Sequence, residues 1–237
     1  QAAGGSRPGL PRLLGPGSPR LIGASVRRAG QLPATAVLSA LLPEGTRRLD
    51  RVGHLVEAVT AADEWSPHPG VWVVAMDYDD GRRVVFGRPG APIADLAQAV
   101  TASCSIPGWF APVTIGGRTF VDGGAVSATS IDVLAHLGLD EVYVIAPMVS
   151  FATDRPRAVP ALLERRWRAE VTKAACREAA IVTAQGATVR IVGPGPEDLA
   201  AIGANLMDDT RQRHVLHTSL RTSVDAWSDP HTLAATG

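Results

Sequence analysis

A carboxylate followed by two glycines is the group in this sequence best suited to chemistry. Asp122 ends a short apolar run over residues 119–121, and Gly123 and Gly124 follow it directly. A strand that stops at Asp-Gly-Gly presents its carboxylate at a sheet edge, on a turn that backbone or ligand can approach closely. Clefts at strand ends are where α/β proteins place their chemistry. The tripeptide alone is equally typical of an ordinary turn, since aspartate and glycine are common turn residues.

The longer segment around Asp122 favours the functional interpretation. Residues 102–126 read Ala-Ser-Cys-Ser-Ile-Pro-Gly-Trp-Phe-Ala-Pro-Val-Thr-Ile-Gly-Gly-Arg-Thr-Phe-Val-Asp-Gly-Gly-Ala-Val. This segment resembles the patatin-like phospholipase family, in which a stretch close to ASxxxPxxFxPVxIxGxxxxDGG precedes the catalytic aspartate. Residues 71–77 and 141–148 also resemble bacterial members, so the resemblance covers nearly all of residues 65–225. The matching positions in the segment are Ala102, Ser103, Pro107, Phe110, Pro112, Val113, Ile115, Gly117, Asp122, Gly123 and Gly124.

The resemblance implies a fold and a reaction. The fold is α/β, layered α/β/α with a mostly parallel central sheet. The reaction is lipid acyl hydrolysis of the phospholipase A type by a serine–aspartate dyad, with Asp122 as base, Gly123 and Gly124 supporting the turn, and no cofactor. We expect Gly123 or Gly124 to adopt a backbone conformation that is costly for other residues, because the chain turns abruptly after Asp122.

Four further residues of the segment are candidates for lining the substrate site. Ser103 and Ser105 could line it or hydrogen-bond the turn near Asp122, and serines at a helix end also commonly satisfy backbone groups. Trp109 and Phe110 could contact an acyl chain, and packing in the core explains them equally well.

The nucleophile that the resemblance requires is missing from residues 1–237. The family carries its serine in a Gly-x-Ser-x-Gly turn and its oxyanion hole in a glycine-rich loop upstream. The nearest string is Gly23-Ala24-Ser25-Val26-Arg27, which has arginine in place of the second glycine. In the motif that glycine lets the following helix pack closely, so arginine there argues against a nucleophile turn. Gly4-Gly5-Ser6 and Gly15-Pro16-Gly17-Ser18 lie among prolines, which interrupt the strand and helix that an anion-binding loop needs.

We therefore expect the serine and the oxyanion loop to lie upstream of this chain. Residues 1–30 are predicted to form an arm or loop rich in glycine, proline and arginine, with room for one short helix. Residues 31–237 are predicted to form the C-terminal portion of a single patatin-like domain. Two other functions stay open: a non-catalytic lipid-binding or interaction domain of the same fold, and an acyltransferase in which another alcohol replaces water.

Composition limits the partners. Hydrophobic residues make up 46% of the chain and charged residues 19%, as in globular proteins, and the formal net charge of zero gives no reason to expect nucleic acid. The expected partners are a lipid or ester substrate, a membrane surface as a peripheral contact, and an N-terminal fragment of the same protein that carries the nucleophile. Residues 1–60 contain eight arginines, which either form a solvated arm or contact anionic headgroups.

The remaining titratable residues suggest no metal site. Cys104 and Cys176 lie among apolar neighbours, which predicts buried structural thiols in a reducing compartment, and we expect a cytoplasmic location. His214 and His217 lie one turn apart without a third ligand. A triad through a histidine is the alternative catalytic arrangement. Residues 77–81 have the wrong spacing for a calcium loop and predict a hairpin turn.

Hydrophobic periodicity predicts alternating helices and strands, an order typical of a layered α/β domain. The apolar run over residues 71–76 is typical of a parallel strand buried on both faces. The predicted helices cover residues 31–42, 49–61, 94–103, 129–136, 157–185 with arginines on the outer face, a segment that starts at 196, and 209–227. The predicted strands cover residues 71–76, 82–86, 112–115, 118–121, 141–146 and 187–192.

Overall fold

The computed structural model describes residues 15–28, 30–60, 64–68, 70–206 and 208–234. The described residues fall into two compact units, divided between Val126 and Ser127. The expectations for residues 1–14, including Gly4-Gly5-Ser6, lie outside the described ranges.

The first unit is built on an antiparallel sheet with four strands in the order β2-β1-β4-β3. Its elements are α1 (Pro19–Arg27), α2 (Ala34–Leu41), α3 (Asp50–Glu57), β1 (Val73–Asp77), β2 (Arg83–Phe86), α4 (Leu96–Ser103), β3 (Val113–Ile115) and β4 (Arg118–Asp122).

Two tight turns explain two of the three antiparallel pairings in this sheet, β1 with β2 and β3 with β4, and the third, β1 with β4, is antiparallel as well. Gly81 lies in the turn between β1 and β2 with φ +72°, and Gly116 and Gly117 connect β3 to β4 with φ +56° and +76°. Strands joined by so few residues can pair only in opposite directions. The expected mostly parallel sheet is therefore wrong for this unit, whereas both predicted hairpins are confirmed. The apolar run in β1 reflects burial on two faces, and such burial does not determine strand direction.

The alternation of side chains along β4 places helices on both faces of the sheet. Val121 packs with Met76 against α1 and α2, and the preceding Phe120 packs with Ala75 on the opposite face against α4. All four side chains are fully buried. On the α4 face the Phe120 ring meets Phe86 edge-on at 5.1 Å between ring centroids. The strand that ends at Asp122 is thus held from both sides.

Helix α1 belongs to this core, which corrects the expectation of an arm for its described residues. Leu21 is fully buried in the same cluster as Met76. The Ser18 hydroxyl donates to the Tyr78 carbonyl oxygen at 2.5 Å and accepts from the Leu21 N–H at 3.1 Å, which caps the helix and ties it to the end of β1. The glycines and prolines before it therefore lead into a packed helix.

The second unit has a mixed sheet with three strands in the order β5-β6-β7. Strands β5 and β6 are parallel because the long α5 crosses between them, and β7 pairs antiparallel with β6. The short β7 was not predicted. Its elements are β5 (Glu141–Ile145), α5 (Val159–Thr183), β6 (Thr188–Val192), α6 (Pro196–Ile202), α7 (Gln212–Ser228) and β7 (His231–Leu233).

The helix predicted over residues 129–136 is only a short 3₁₀ turn, Ile131–Leu134. Ser130 and His136 flank it with φ of 52° and 66°. A right-handed helix cannot continue through residues in the left-handed region, so the backbone at these two positions limits the turn.

The expectation that the arginines of α5 lie on its outer face is wrong for two of them, Arg165 and Arg168, which are buried. Arg168 is fully buried and donates to Glu164 Oε1 from Nε at 2.9 Å and Nη2 at 2.7 Å, and to the Pro147 carbonyl oxygen at 2.6 Å. Arg165 donates to Asp154 at 2.5 Å and to Glu164. Each guanidinium is satisfied by carboxylates, which is the condition for burying its charge.

We expect Arg168→Met to lower the free energy of unfolding by about 3 kcal/mol, because it leaves the buried Glu164 carboxylate without one of its donors. The matched control is Lys173→Met in the same helix. Lys173 forms an exposed pair with Glu170 at 2.8 Å, and its loss should cost under about 1 kcal/mol. Urea denaturation followed by circular dichroism measures both. Equal stability of the two variants would show that the buried network contributes nothing specific.

Candidate active site

Asp122 is fixed through its backbone on two sides. It is the last residue of β4, paired with Ala75 of β1, and its N–H donates to the Ser105 carbonyl oxygen at 2.9 Å. Gly123–Ala125 then form a 3₁₀ turn that Asp122 caps. The sequence pattern predicted this strand end correctly, and the structure adds the bond to Ser105.

The Asp122 carboxylate is half-buried and partly engaged. Oδ1 accepts a hydrogen bond from the Gly124 N–H at 2.7 Å. Burial raises the pKa of the Asp122 carboxyl above its ordinary value, and the hydrogen bond from Gly124 offsets part of that rise. A carboxylate with a raised pKa is a stronger base, which suits it to accept a proton near neutral pH.

The two glycines after Asp122 serve a purpose other than the expected one. Neither is among the glycines with positive φ, so the expectation of a backbone conformation that other residues avoid is wrong. Gly123 is instead required for space: a Cβ atom there would lie 2.6 Å from the Val74 carbonyl oxygen on β1. The close approach predicted for this turn is real at Gly123, and the nearby atom is the protein's own backbone.

The end of α4 supplies the residues beside this turn. The Ser105 side chain is buried, and its hydroxyl donates to the Thr101 carbonyl oxygen at 2.8 Å while its own carbonyl holds Asp122. Ser103 is the last residue of α4 and is half-buried. Ser105 therefore supports the turn through its backbone.

Cys104 is a neighbour of Asp122 that the sequence reasoning placed in the core. Cys104 is exposed and Cys176 is half-buried, so the prediction of two buried thiols is wrong. Burial of part of the side chain raises the pKa of the Cys104 thiol, and the negative charge of Asp122 raises it further. The signal that could have placed it here is its position between Ser103 and Ser105 in the matching segment.

Trp109 and Phe110 lie in the turn after α4. Trp109 leaves 48% of its surface exposed, whereas Phe110 is half-buried and its backbone touches Gly45 closely. The backbone of Phe110 also forms an isolated parallel β-bridge with that of Arg47. Trp109 is therefore the aromatic residue of the pair that is more accessible to a ligand.

The acidic segment after β1 has a structural role. Asp77 is buried, accepts from the Asp79 N–H at 2.8 Å, and pairs with Arg118 Nη2 at 2.5 Å. These contacts close the predicted hairpin turn and join it to β4. Within the described ranges, no group of three or more His, Cys, Asp or Glu residues could hold a metal ion.

The histidines do not complete a triad at Asp122 in the described part of the first unit. His54 and His68 are both exposed, and neither hydrogen-bonds the Asp122 carboxylate. Across the residues that the structure describes, no helix is both long enough and apolar enough to span a bilayer.

Comparison with known protein families adds one finding. The family model described as patatin-like phospholipase matches residues 29–135, a little under half of the chain. The matched range contains Asp122, both glycines after it, and the segment from Ser103 to Phe110. At the level of the family, the match supports a hydrolase that acts on lipid esters.

We expect Gly123→Ala to lower the free energy of unfolding by about 1–3 kcal/mol, because the new methyl group would displace β4 from the Val74 carbonyl oxygen. Gly53→Ala in α3 is the control. Its Cβ would lie 3.4 Å from the Thr101 hydroxyl, and alanine favours a helix by about 1 kcal/mol over glycine. Chemical denaturation of both variants checks this, and a Gly123→Ala protein as stable as the control would contradict the packing argument.

The raised pKa of Asp122 predicts how Asp122→Asn changes stability with pH. The contribution of the aspartic acid is fully present below its unfolded pKa of about 3.9, and it is lost as pH rises through the higher folded pKa. Asparagine does not titrate. As the pH rises above about 3.9, the free energy of unfolding of the wild type should therefore fall relative to that of Asp122→Asn. A constant difference, or a shift in favour of the wild type, would mean that the folded pKa is not raised.

Proposed function

We propose, with the patatin-like phospholipase match over residues 29–135 as the premise, that this protein is a lipid acyl hydrolase whose general base is Asp122. The observation that carries the proposal is the geometry of that carboxylate. It stands at the end of a strand held from both faces, is half-buried, and has Oδ1 fixed by the Gly124 N–H. A base held in this way keeps one oxygen, Oδ2, for the proton of a nucleophile.

The proposed reaction follows from that placement. Asp122 takes the proton of a serine hydroxyl as the serine oxygen attacks the ester carbonyl, and backbone N–H groups stabilise the resulting oxyanion. The alcohol leaves with the proton that Asp122 held. Water then attacks the acyl-serine and gives a proton to Asp122, which returns it to the serine oxygen as the fatty acid is released.

The nucleophile in this proposal lies upstream of Gln1. Residues 1–237 contain no Gly-x-Ser-x-Gly string. In the described residues no serine hydroxyl donates to the Asp122 carboxylate, and the Ser25 hydroxyl donates to the Ile22 carbonyl oxygen of its own helix at 2.7 Å. The serine and its oxyanion loop would thus come from a preceding segment of the same protein.

The lack of a Gly-x-Ser-x-Gly string in residues 1–237 also favours a second candidate, a lipid-binding or interaction domain without catalysis. An acyltransferase would share the acyl-serine and differ only in the alcohol that accepts the acyl group. The upstream coding sequence separates the first two candidates, because a glycine-rich loop and a Gly-x-Ser-x-Gly turn would be found there only for an enzyme. Product analysis with added alcohols separates hydrolysis from transfer.

Other residues enter the proposal as the surroundings of Asp122. Ser103 and Ser105 would shape the wall of the site, the latter through its bond to Asp122. Trp109 and Phe110 would border the acyl chain, with Trp109 offering the larger exposed surface. The protein would be cytoplasmic and would reach its substrate at a membrane surface.

We expect Asp122→Asn to reduce ester hydrolysis by about 10²–10⁴-fold, the usual contribution of a general base. The assay uses a short-chain nitrophenyl ester and a polypeptide that extends through the upstream coding sequence. Asp50→Asn is the control, because Asp50 is an exposed carboxylate paired with Arg48 at 3.1 Å. Turnover by Asp122→Asn equal to that of Asp50→Asn would exclude Asp122 as the base.

A further inference from the structure

An exposed apolar surface lies where α2 ends and meets the turn after α4. Its members are large side chains that keep between 37% and 56% of their surface exposed. We call this surface the apolar rim and define it as Leu41, Leu42, Ile106 and Trp109. Isolated exposed apolar side chains are ordinary in proteins, whereas a contiguous group next to a candidate site suggests a partner.

Two contacts bring the end of α2 and the turn after α4 together. A Cβ atom at Gly108 would lie 3.3 Å from the Leu42 side chain, so Leu42 packs on the turn between Ile106 and Trp109. On the other side of Trp109, the Ala111 N–H donates to the Arg47 carbonyl oxygen at 2.8 Å. Residues 43–47, Gly108 and Trp109 also line a shallow depression of about 500 Å³.

Positive charge borders the apolar rim. The segment over residues 43–51 carries Arg47, Arg48 and Arg51 against Glu44 and Asp50. The side chain of Arg47 is exposed next to Trp109. Tryptophan and arginine at the edge of an apolar surface suit the boundary of a bilayer, because the apolar part can enter the lipid while the polar group stays at the headgroups.

The backbone connects this surface directly to Asp122. Ile106 follows Ser105, whose carbonyl oxygen accepts the Asp122 N–H. The apolar stripe on α7, formed by Leu216, Leu220 and Val224, belongs to the other unit. Insertion of the apolar rim into lipid would therefore bring ester groups to the end of β4.

We propose that the apolar rim, with Arg47 beside it, is the surface by which this protein docks on an anionic lipid bilayer. The inference rests on the proposed function, since it gives the Asp122 site access to a lipid substrate. The occupant is the lipid surface, because apolar side chains and arginine together match acyl chains and negatively charged headgroups.

The test is sedimentation of the 237-residue chain with vesicles of phosphatidylcholine, with and without phosphatidylserine. Trp109→Ala should weaken binding to both vesicle types by about 10-fold, because a large apolar side chain no longer enters the bilayer. Arg47→Gln should weaken binding about 5-fold, and only when phosphatidylserine is present. Circular dichroism verifies that these exposed substitutions leave the fold intact.

Two control variants remove apolar side chains elsewhere that are more exposed than those of the apolar rim. Ile93→Ala changes a residue before the start of α4, whereas the apolar rim residues Ile106 and Trp109 follow its end. Leu220→Ala changes a residue on α7. Both should bind vesicles like the wild type. Absence of vesicle binding by the wild type, or equal losses in the control and rim variants, would overturn the proposal.

Two further outcomes are informative. A dimer in light scattering that Trp109→Ala dissociates, without vesicle binding, would show that a second copy covers the surface and would also overturn the proposal. Asp122→Asn should bind vesicles normally. Vesicle binding that depends on Trp109, together with unchanged hydrolysis by Asp122→Asn, would support the docking surface while excluding the proposed catalytic function.

Discussion

The close contact between Gly123 and the Val74 carbonyl oxygen is the constraint on which the candidate site depends. It leaves no room for a side chain directly after Asp122, so β4 must end there against β1. The bond from the Asp122 N–H to Ser105 holds the same residue from the side of α4. Asp122 therefore takes its position from three elements of one unit.

This arrangement also determines the acid–base character of the site. Burial raises the pKa of the Asp122 carboxyl, whereas the Gly124 N–H stabilises its charged form. The two effects oppose each other, which leaves a base stronger than an ordinary aspartate and still fixed in orientation. Burial raises the pKa of the Cys104 thiol, and the charge of Asp122 adds to that rise.

Local signals predicted the parts of the fold that short segments determine. The hairpin that delivers Asp122 follows from Gly116-Gly117 between apolar runs, and the structure contains it. Strand direction was missed, because the burial of residues 71–76 looks alike in parallel and antiparallel sheets. The burial of the Arg168 side chain could not be predicted from the sequence either, since the Pro147 carbonyl oxygen that accepts its hydrogen bond is distant in sequence. The role of Gly123 likewise depends on a carbonyl from another strand.

The role of Asp122 depends most directly on whether this chain contains its own nucleophile. The purified 237-residue protein is treated with a fluorophosphonate that labels activated serines, and labelled peptides are identified by mass spectrometry. We expect no stoichiometric label on residues 1–237, and a single labelled serine upstream when the longer polypeptide is used. Stoichiometric labelling of a serine within this chain, Ser25 included, would contradict the claim that Asp122 serves a serine from outside it.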